Sequence, residues 1–199
     1  VAGDRGIHMR RFVVFGDANA ATDGLVLRST SPGGLLGDTW SPRERLYLGD
    51  VSCAEQLAFD STSVYGIRAR NDITGYGGFF EPGGAGYELF AADLPFKPGK
   101  KGKPAVAKRW SIRIPVRASS MVVAGETLLA AGTPDVIDPR EPWAAYEAKR
   151  GGVLLAISTA DGSVNARVEL DAAPVLDGLC VYRGRLFVAT VDGCVRCLK

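Results

Sequence analysis

The stretch MVVAGETLLAA at residues 121–131 decides the fold, because its pattern occurs twice more in the chain. Each copy is an apolar run, a short polar turn and a second apolar run, which is typical of a β-hairpin. The other copies are LAFDSTSVYGI at 57–67 and LCVYRGRLFVA at 179–189. Repeated hairpins predict a propeller or a solenoid, since one unit alone cannot bury its own faces. A further apolar run follows every copy, at 87–92, 153–158 and 194–198.

Signals for helices are sparse along the rest of the chain. Gly, Pro, Asp and Asn separate short β-branched or aromatic runs, so the segments favour an all-β fold. The best helix candidate is 139–150, where good helix formers precede a Gly151-Gly152 stop. We predict an irregular N-terminal segment or atypical blade, followed by three blade-like units, at 1–45, 46–93, 109–160 and 165–198.

Composition places few limits on function. The chain has 199 residues, of which 46% are hydrophobic and 23% charged, and its net charge is +2. This balance gives no reason to expect nucleic acid or an anionic membrane as partner. No apolar run approaches the roughly 18 to 20 residues that span a bilayer. The first residues carry neither a signal-peptide pattern nor an initiator Met, so we expect a processed or truncated chain.

Histidine and cysteine offer little catalytic chemistry. The chain has one histidine, His8, so most catalytic pairs of a nucleophile with a histidine base cannot form. Cys194 and Cys197 form a C-x-x-C pattern, but a redox pair needs a helix start and a structural zinc site needs a second pair of ligands. If 194–198 is a strand, residues three apart point to opposite faces and cannot share a metal. We interpret this pair as buried apolar-like side chains.

Carboxylates provide two further candidates. Asp38 beside Trp40 resembles a sugar-contacting acid with an aromatic platform, although no second acid stands at a defined spacing. Asp135, Asp138 and Glu141 could supply oxygen ligands to Ca²⁺. They lack the spacing of a calcium loop, and the surrounding prolines favour a rigid solvated loop.

Three inserts separate the predicted strands, at 75–86, 97–109 and 133–150. The lysine-rich 97–109 insert could attract phosphate or an acidic glycan, but a solvated excursion is favoured because few aromatics are interleaved with its charges. Inserts in a repeat fold usually lie on one rim, where binding often occurs. Large aromatics in such loops are common binding anchors, so the predicted rim residues are Trp40, Tyr76, Phe79, Trp143 and Tyr146.

Several segments carry a family resemblance, including 110–115, 118–128, 151–162 and 184–193. Their pattern of an apolar strand, Ala-x-x-x-x-Asp-Gly and another strand resembles the closing blades of pyrroloquinoline-quinone-like (quinoprotein-alcohol-dehydrogenase-like) propellers. The resemblance covers about 25–199. It implies blades of four antiparallel strands in a partial ring of three to four blades, as the C-terminal portion of a large bacterial member. It also implies a periplasmic or extracellular location.

The sequence departs from this family in two ways. The family repeat usually has a Trp shortly after its Asp-Gly turn, and 163–167 has none, so blade docking is expected to differ there. The quinone enzymes also need an acidic Ca²⁺ site, a catalytic Asp and cofactor-stacking groups, and the sequence has no matching cluster.

These departures favour a non-catalytic scaffold or binding module without a cofactor. Its partner is expected to be an unknown protein or glycan, together with the remainder of a longer polypeptide, but neither nucleic acid nor a membrane span. One alternative is part of a quinone-dependent oxidoreductase whose cofactor site lies mostly outside this chain. A second alternative is a carbohydrate-binding module.

Overall fold

The computed structural model describes residues 27–30, 45–48, 51–54, 56–69, 86–93 and 107–198. Within these ranges the chain forms fourteen strands and no helix, which confirms the all-β prediction. The strands are β1 Leu27–Thr30, β2 Arg45–Leu48, β3 Val51–Ala54, β4 Gln56–Phe59, β5 Ser63–Ala69, β6 Tyr87–Asp93, β7 Lys108–Ile114, β8 Val116–Ala124, β9 Thr127–Pro134, β10 Gly152–Ser158, β11 Val164–Leu170, β12 Pro174–Tyr182, β13 Arg185–Thr190 and β14 Val195–Leu198.

The strands form four antiparallel sheets in which neighbours along the chain are neighbours in space. Sheet I contains β1–β3, sheet II β4–β7, sheet III β8–β11 and sheet IV β12–β14. Sheets II and III therefore have four strands each. Sheets I and IV have three each among the described residues. Each sheet is a meander, which short hairpin connections can build without a crossover.

The three repeated hairpins predicted from the sequence are present and share one register. They are β4–β5, β8–β9 and β12–β13, and each is followed by the predicted third strand. Equivalent residues of the repeat pair across each hairpin, namely Ala58 with Tyr65, Val122 with Leu129 and Cys180 with Phe187. The repeat therefore fixes which side chains share a face, because a slip of one residue would reverse every side chain.

The three hairpins share this register but differ in the conformation of their turns. Gly125 has φ of 60° at the first turn position of β8–β9, and Arg183 and Gly184 both have positive φ in β12–β13. Such conformations match the twist of paired strands. In β4–β5 the Asp60 carboxylate accepts hydrogen bonds from the backbone N–H groups of Thr62 and Ser63, each at 2.7 Å. The turn sequences therefore differ although the strand pairing is the same.

Sheets II and III each end on a strand that follows the third strand of the repeat. β7 closes sheet II and β11 closes sheet III, so these sheets span 56–114 and 116–170.

The helix predicted at 139–150 is wrong. This segment is a succession of hydrogen-bonded turns, and Ala148 has φ of 63°, which a right-handed helix cannot accommodate.

Sheets II, III and IV pack face to face, and sheet III lies between the other two. The largest core cluster joins one face of sheet II to one face of sheet III, and it includes Tyr65, Leu89 and Leu155. A second cluster on the opposite face of sheet III contains Ala131, Leu154 and Val188 and reaches sheet IV. Both faces of sheet III are therefore covered by a neighbouring sheet.

The first strands of these three sheets lie side by side and are joined by polar contacts. Gln56 at the start of β4 donates its side-chain amide to the Ser119 carbonyl of β8 at 2.6 Å. The hydroxyl of Ser120, the repeat equivalent of Gln56, donates to the Val175 carbonyl at 2.9 Å and accepts from the Gly178 N–H at 2.6 Å. Consecutive first strands are therefore connected by the same position of the repeat.

A tryptophan joins the outer parts of sheets II and III. The Trp110 indole N–H in β7 donates to the Thr159 carbonyl in the β10–β11 turn at 2.9 Å. Gly162 in that turn has φ of 79°, and a Cβ at this position would lie 2.7 Å from the Trp110 ring. The residues directly after Gly162 include no tryptophan. The indole that docks on this turn comes instead from Trp110 of β7, in the preceding sheet.

Candidate binding surface

The connection 135–151 between β9 and β10 is the most elaborate described loop. It begins where the Asp135 N–H donates to the Pro115 carbonyl at 3.0 Å. Consecutive turns then form as the N–H groups of Ala144 and Glu147 donate to the carbonyls of Glu141 and Trp143, at 3.0 and 2.8 Å. Backbone hydrogen bonds within the loop therefore define its shape.

Charged groups close the base of this loop. The Asp138 carboxylate accepts from the Arg150 guanidinium and, at 2.9 Å, from the Arg140 backbone N–H. Arg150 also lies 3.6 Å from the Glu141 carboxylate. The next residue, Gly151, has φ of 67°, a conformation that favours glycine, and it begins the return to β10. The ion pairs connect the two ends of the excursion and limit its freedom.

Two aromatic side chains lie on the loop as an edge-to-face pair. The rings of Trp143 and Tyr146 are 6.2 Å apart between centroids at an angle of 76°. Trp143 is 57% exposed, while Tyr146 is half-buried and lies under the Arg117 guanidinium of β8, 4.5 Å from the ring centroid. The neighbouring residues Ala144 and Ala145 are buried, at 2% and 3% exposure. Trp143 is therefore an exposed aromatic surface on an anchored loop.

The structure brings together two of the five predicted rim residues. Trp143 and Tyr146 are adjacent, whereas Trp40, Tyr76 and Phe79 lie outside the described residues. Sequence reasoning missed Arg117, which contacts Tyr146 from another element. No local pattern reveals this contact, because it depends on the position of β8 beneath a loop that follows β9.

The cysteine interpretation needs correction. Cys180, Cys194 and Cys197 are free thiols, and all three are exposed and not buried. Cys194 lies in the turn before β14 and Cys197 within β14, the outermost described strand of sheet IV. Cys53 is in β3, and its side chain lies outside the described part of the structure.

Acidic residues of the loop do not assemble into a metal site. In the described part of the chain no group of three His, Cys, Asp or Glu side chains is placed to hold a metal ion. Asp138, one of the three acids considered for calcium, is instead paired with Arg150. His8 and Asp38 lie outside these residues.

The described end of the lysine-rich insert is occupied by intramolecular ion pairs. Lys108 and Arg68 both contact the Glu88 carboxylate of β6, which also accepts from the Ser111 hydroxyl at 2.6 Å. Burial opposes the ionisation of Glu88, but the hydrogen bonds from Lys108, Ser111 and Arg68 outweigh it and lower its pKa to about 2. These cations stabilise the sheet and are not available as an anion-binding patch.

Comparison with protein-family models and with curated proteins finds no match for this chain. No helix of the described residues is both long enough and apolar enough to cross a membrane.

Proposed function

We propose that this protein is a non-catalytic binding module and that the loop 135–151 presents its binding surface. The observation that carries the proposal is the 57% exposure of Trp143 beside the half-buried Tyr146. Exposing an indole to water is unfavourable, whereas burying it against a ligand releases apolar surface from water. Tryptophan is among the residues most enriched at energetically important contacts.

The anchoring of the loop supports this role. Arg117 covers Tyr146, and Arg150 pairs with Asp138 at the base of the excursion. A surface that is ordered before binding loses less conformational entropy when a partner arrives. The ligand classes that suit it are a glycan face or an apolar protein segment, either of which can stack on Trp143.

The packing of the sheets supports a propeller architecture. Three consecutive antiparallel sheets pack face to face, with their first strands side by side, as the blades of a propeller do. We propose that these sheets are blades of the quinoprotein-like type and that the complete ring includes further sheets. The proposal of a periplasmic or extracellular location rests on this family resemblance.

Binding to printed glycan and peptide arrays tests the proposed function. We expect the wild-type chain to bind a subset of spots and Trp143→Ala to lose at least about tenfold in affinity for them, because truncating an aromatic hot spot typically costs about 2 kcal/mol or more of binding free energy. Val164→Ala is the matched control, since Val164 is 50% exposed on β11, away from the loop. Binding that is equally strong in Trp143→Ala, or no binding on either array, would contradict the proposal.

A further inference from the structure

The first half of the loop 135–151 exposes a concentration of apolar residues. The exposed apolar residues between positions 136 and 143 are Val136, Ile137, Pro139, Pro142 and Trp143. Val136 and Ile137 are 47% and 51% exposed, close to the 57% of Trp143. The exposed indole is therefore accompanied by aliphatic side chains that water also reaches, and we call this group the 136–143 surface.

An isolated β-bridge holds the two parts of this surface together. Asp138 and Glu141 pair in antiparallel register, and the Glu141 N–H donates to the Asp138 carbonyl at 3.1 Å. An antiparallel bridge brings the chain on either side of it close together, so residues 136–137 run alongside residues 142–143. The apolar residues therefore belong to one surface, although the turn at 139–140 separates them in sequence.

The charges of the 136–143 surface are paired within the loop, with one exception. Asp138 contacts the Arg150 guanidinium, which also lies 3.6 Å from the Glu141 carboxylate. Arg140 is exposed in the turn between the two acids, and its guanidinium has no ion-pair partner among the described residues. The charge that this surface has available for a partner is therefore the Arg140 guanidinium.

We infer that the 136–143 surface binds a protein partner through an apolar segment that carries a carboxylate. This inference rests on the proposed function and specifies its partner. The apolar part of the segment covers Ile137 and Trp143, and its carboxylate pairs with Arg140, whose planar guanidinium matches that group. A glycan fits less well, because its hydroxyls would be buried against aliphatic and proline side chains that cannot hydrogen-bond to them.

Selection from a phage library of random peptides tests this partner chemistry. The library is first depleted on Trp143→Ala and then selected on the wild-type chain, so that the retained peptides depend on the loop. We expect the enriched peptides to combine aliphatic or aromatic residues with an Asp or a Glu. No enrichment, or enriched peptides without an acidic residue, would overturn the inference.

The tightest selected peptide, made synthetically, serves as the probe for variants of the full chain. Arg140→Glu should weaken its binding at least about tenfold, because like charges then face each other. Ile137→Ser should weaken it at least about threefold, because less apolar area is buried. Both side chains are exposed, so the fold tolerates these changes. Arg185→Glu makes the same charge reversal on β13, outside the loop, and should leave the affinity unchanged.

Changing the acidic residue of the peptide to its amide completes the test, since the difference between wild type and Arg140→Glu should then disappear. Peptide binding that Arg140→Glu leaves unchanged, or weakens no more than Arg185→Glu does, would overturn the inference. Glycan binding that needs Trp143 but is unaffected by Ile137→Ser and Arg140→Glu would also overturn it while retaining the proposed function. The absence of binding to peptides and glycans alike would overturn both.

Discussion

Glu88 is the residue with the most strongly perturbed ionisation near the core. It is 10% exposed at its side chain and accepts hydrogen bonds from Arg68, Lys108 and Ser111. These partners come from β5 and β7, on either side of β6. The sequence could not predict this cluster, because the three donors are separated from Glu88 by about 20 positions and meet only through strand register.

The lowered pKa of Glu88 makes a prediction about stability and pH. Its pKa is about 2 in the folded chain against 4.5 ordinarily, so the folded state binds fewer protons than the unfolded state in this interval. The stabilisation is complete above pH 4.5 and is lost as the pH falls towards 2. Glu88→Gln should lower the free energy of unfolding by about 1–3 kcal/mol at neutral pH, since the cations lose their charged partner.

Chemical denaturation across the acid range measures this effect. The difference between wild type and Glu88→Gln should shrink as the pH approaches 2. Glu169→Gln is the control, because Glu169 is 69% exposed in a surface pair with Arg167, and its change should stay within about 0.5 kcal/mol. A wild-type and Glu88→Gln difference that is independent of pH would contradict the assignment.

At the scale of elements, the hairpins were predictable and the loop was not. The apolar runs and polar turns of the repeat predicted six strands, because alternation and turn residues act locally. The helix prediction for 139–150 failed although its residues favour helix. Ala144 and Ala145 are buried beside the sheet and Ala148 has positive φ, so tertiary packing overrides the local preference.

The contact of Trp110 with Gly162 makes a prediction about docking between sheets. Gly162 and Gly193 both follow an Asp in a turn and both have φ of 79°, but a Cβ would meet a ring only at Gly162. There it would lie 2.7 Å from Trp110, whereas at Gly193 it would meet nothing within 4 Å. Gly193→Ala therefore measures the cost of the backbone conformation alone, about 1 kcal/mol. Gly162→Ala should lower the free energy of unfolding by about 1–3 kcal/mol more than Gly193→Ala does, because the Trp110 indole must move.

Thermal or urea unfolding of the two alanine variants gives this comparison. The Thr159 carbonyl accepts from the Arg109 guanidinium at 2.9 Å as well as from Trp110, so it keeps a partner when the indole shifts. The additional destabilisation by Gly162→Ala therefore measures how much the packing of the Trp110 ring contributes. Equal destabilisation by Gly162→Ala and Gly193→Ala would show that the docking contributes nothing.

At the scale of the whole molecule, the repeat determines how successive sheets meet. Ala58, Tyr65 and Ala91, which pair across β4, β5 and β6, form a row that is buried in sheet II. Its repeat equivalent in sheet III includes Leu129, which packs towards sheet IV, and its equivalent in sheet IV contains the exposed Cys180 and Cys197. The sequence predicted the repeated hairpins but not which face of each would be covered. The expectation that Cys194 and Cys197 are buried is therefore wrong, since an apolar run such as 194–198 has the same pattern with or without a neighbouring sheet.

Sheets III and IV each cover the repeat-equivalent row of the sheet before them. The most direct test is the iodoacetamide labelling rate of Ala58→Cys compared with Cys180 in the same chain, at low protein concentration. Position 58 is 8% exposed beneath sheet III and position 180 is its exposed equivalent. We expect Cys180 to be labelled at least about 100-fold faster than the thiol at position 58 of the Ala58→Cys variant, because a covered site reacts only through local opening. Equal rates in the folded chain would contradict it.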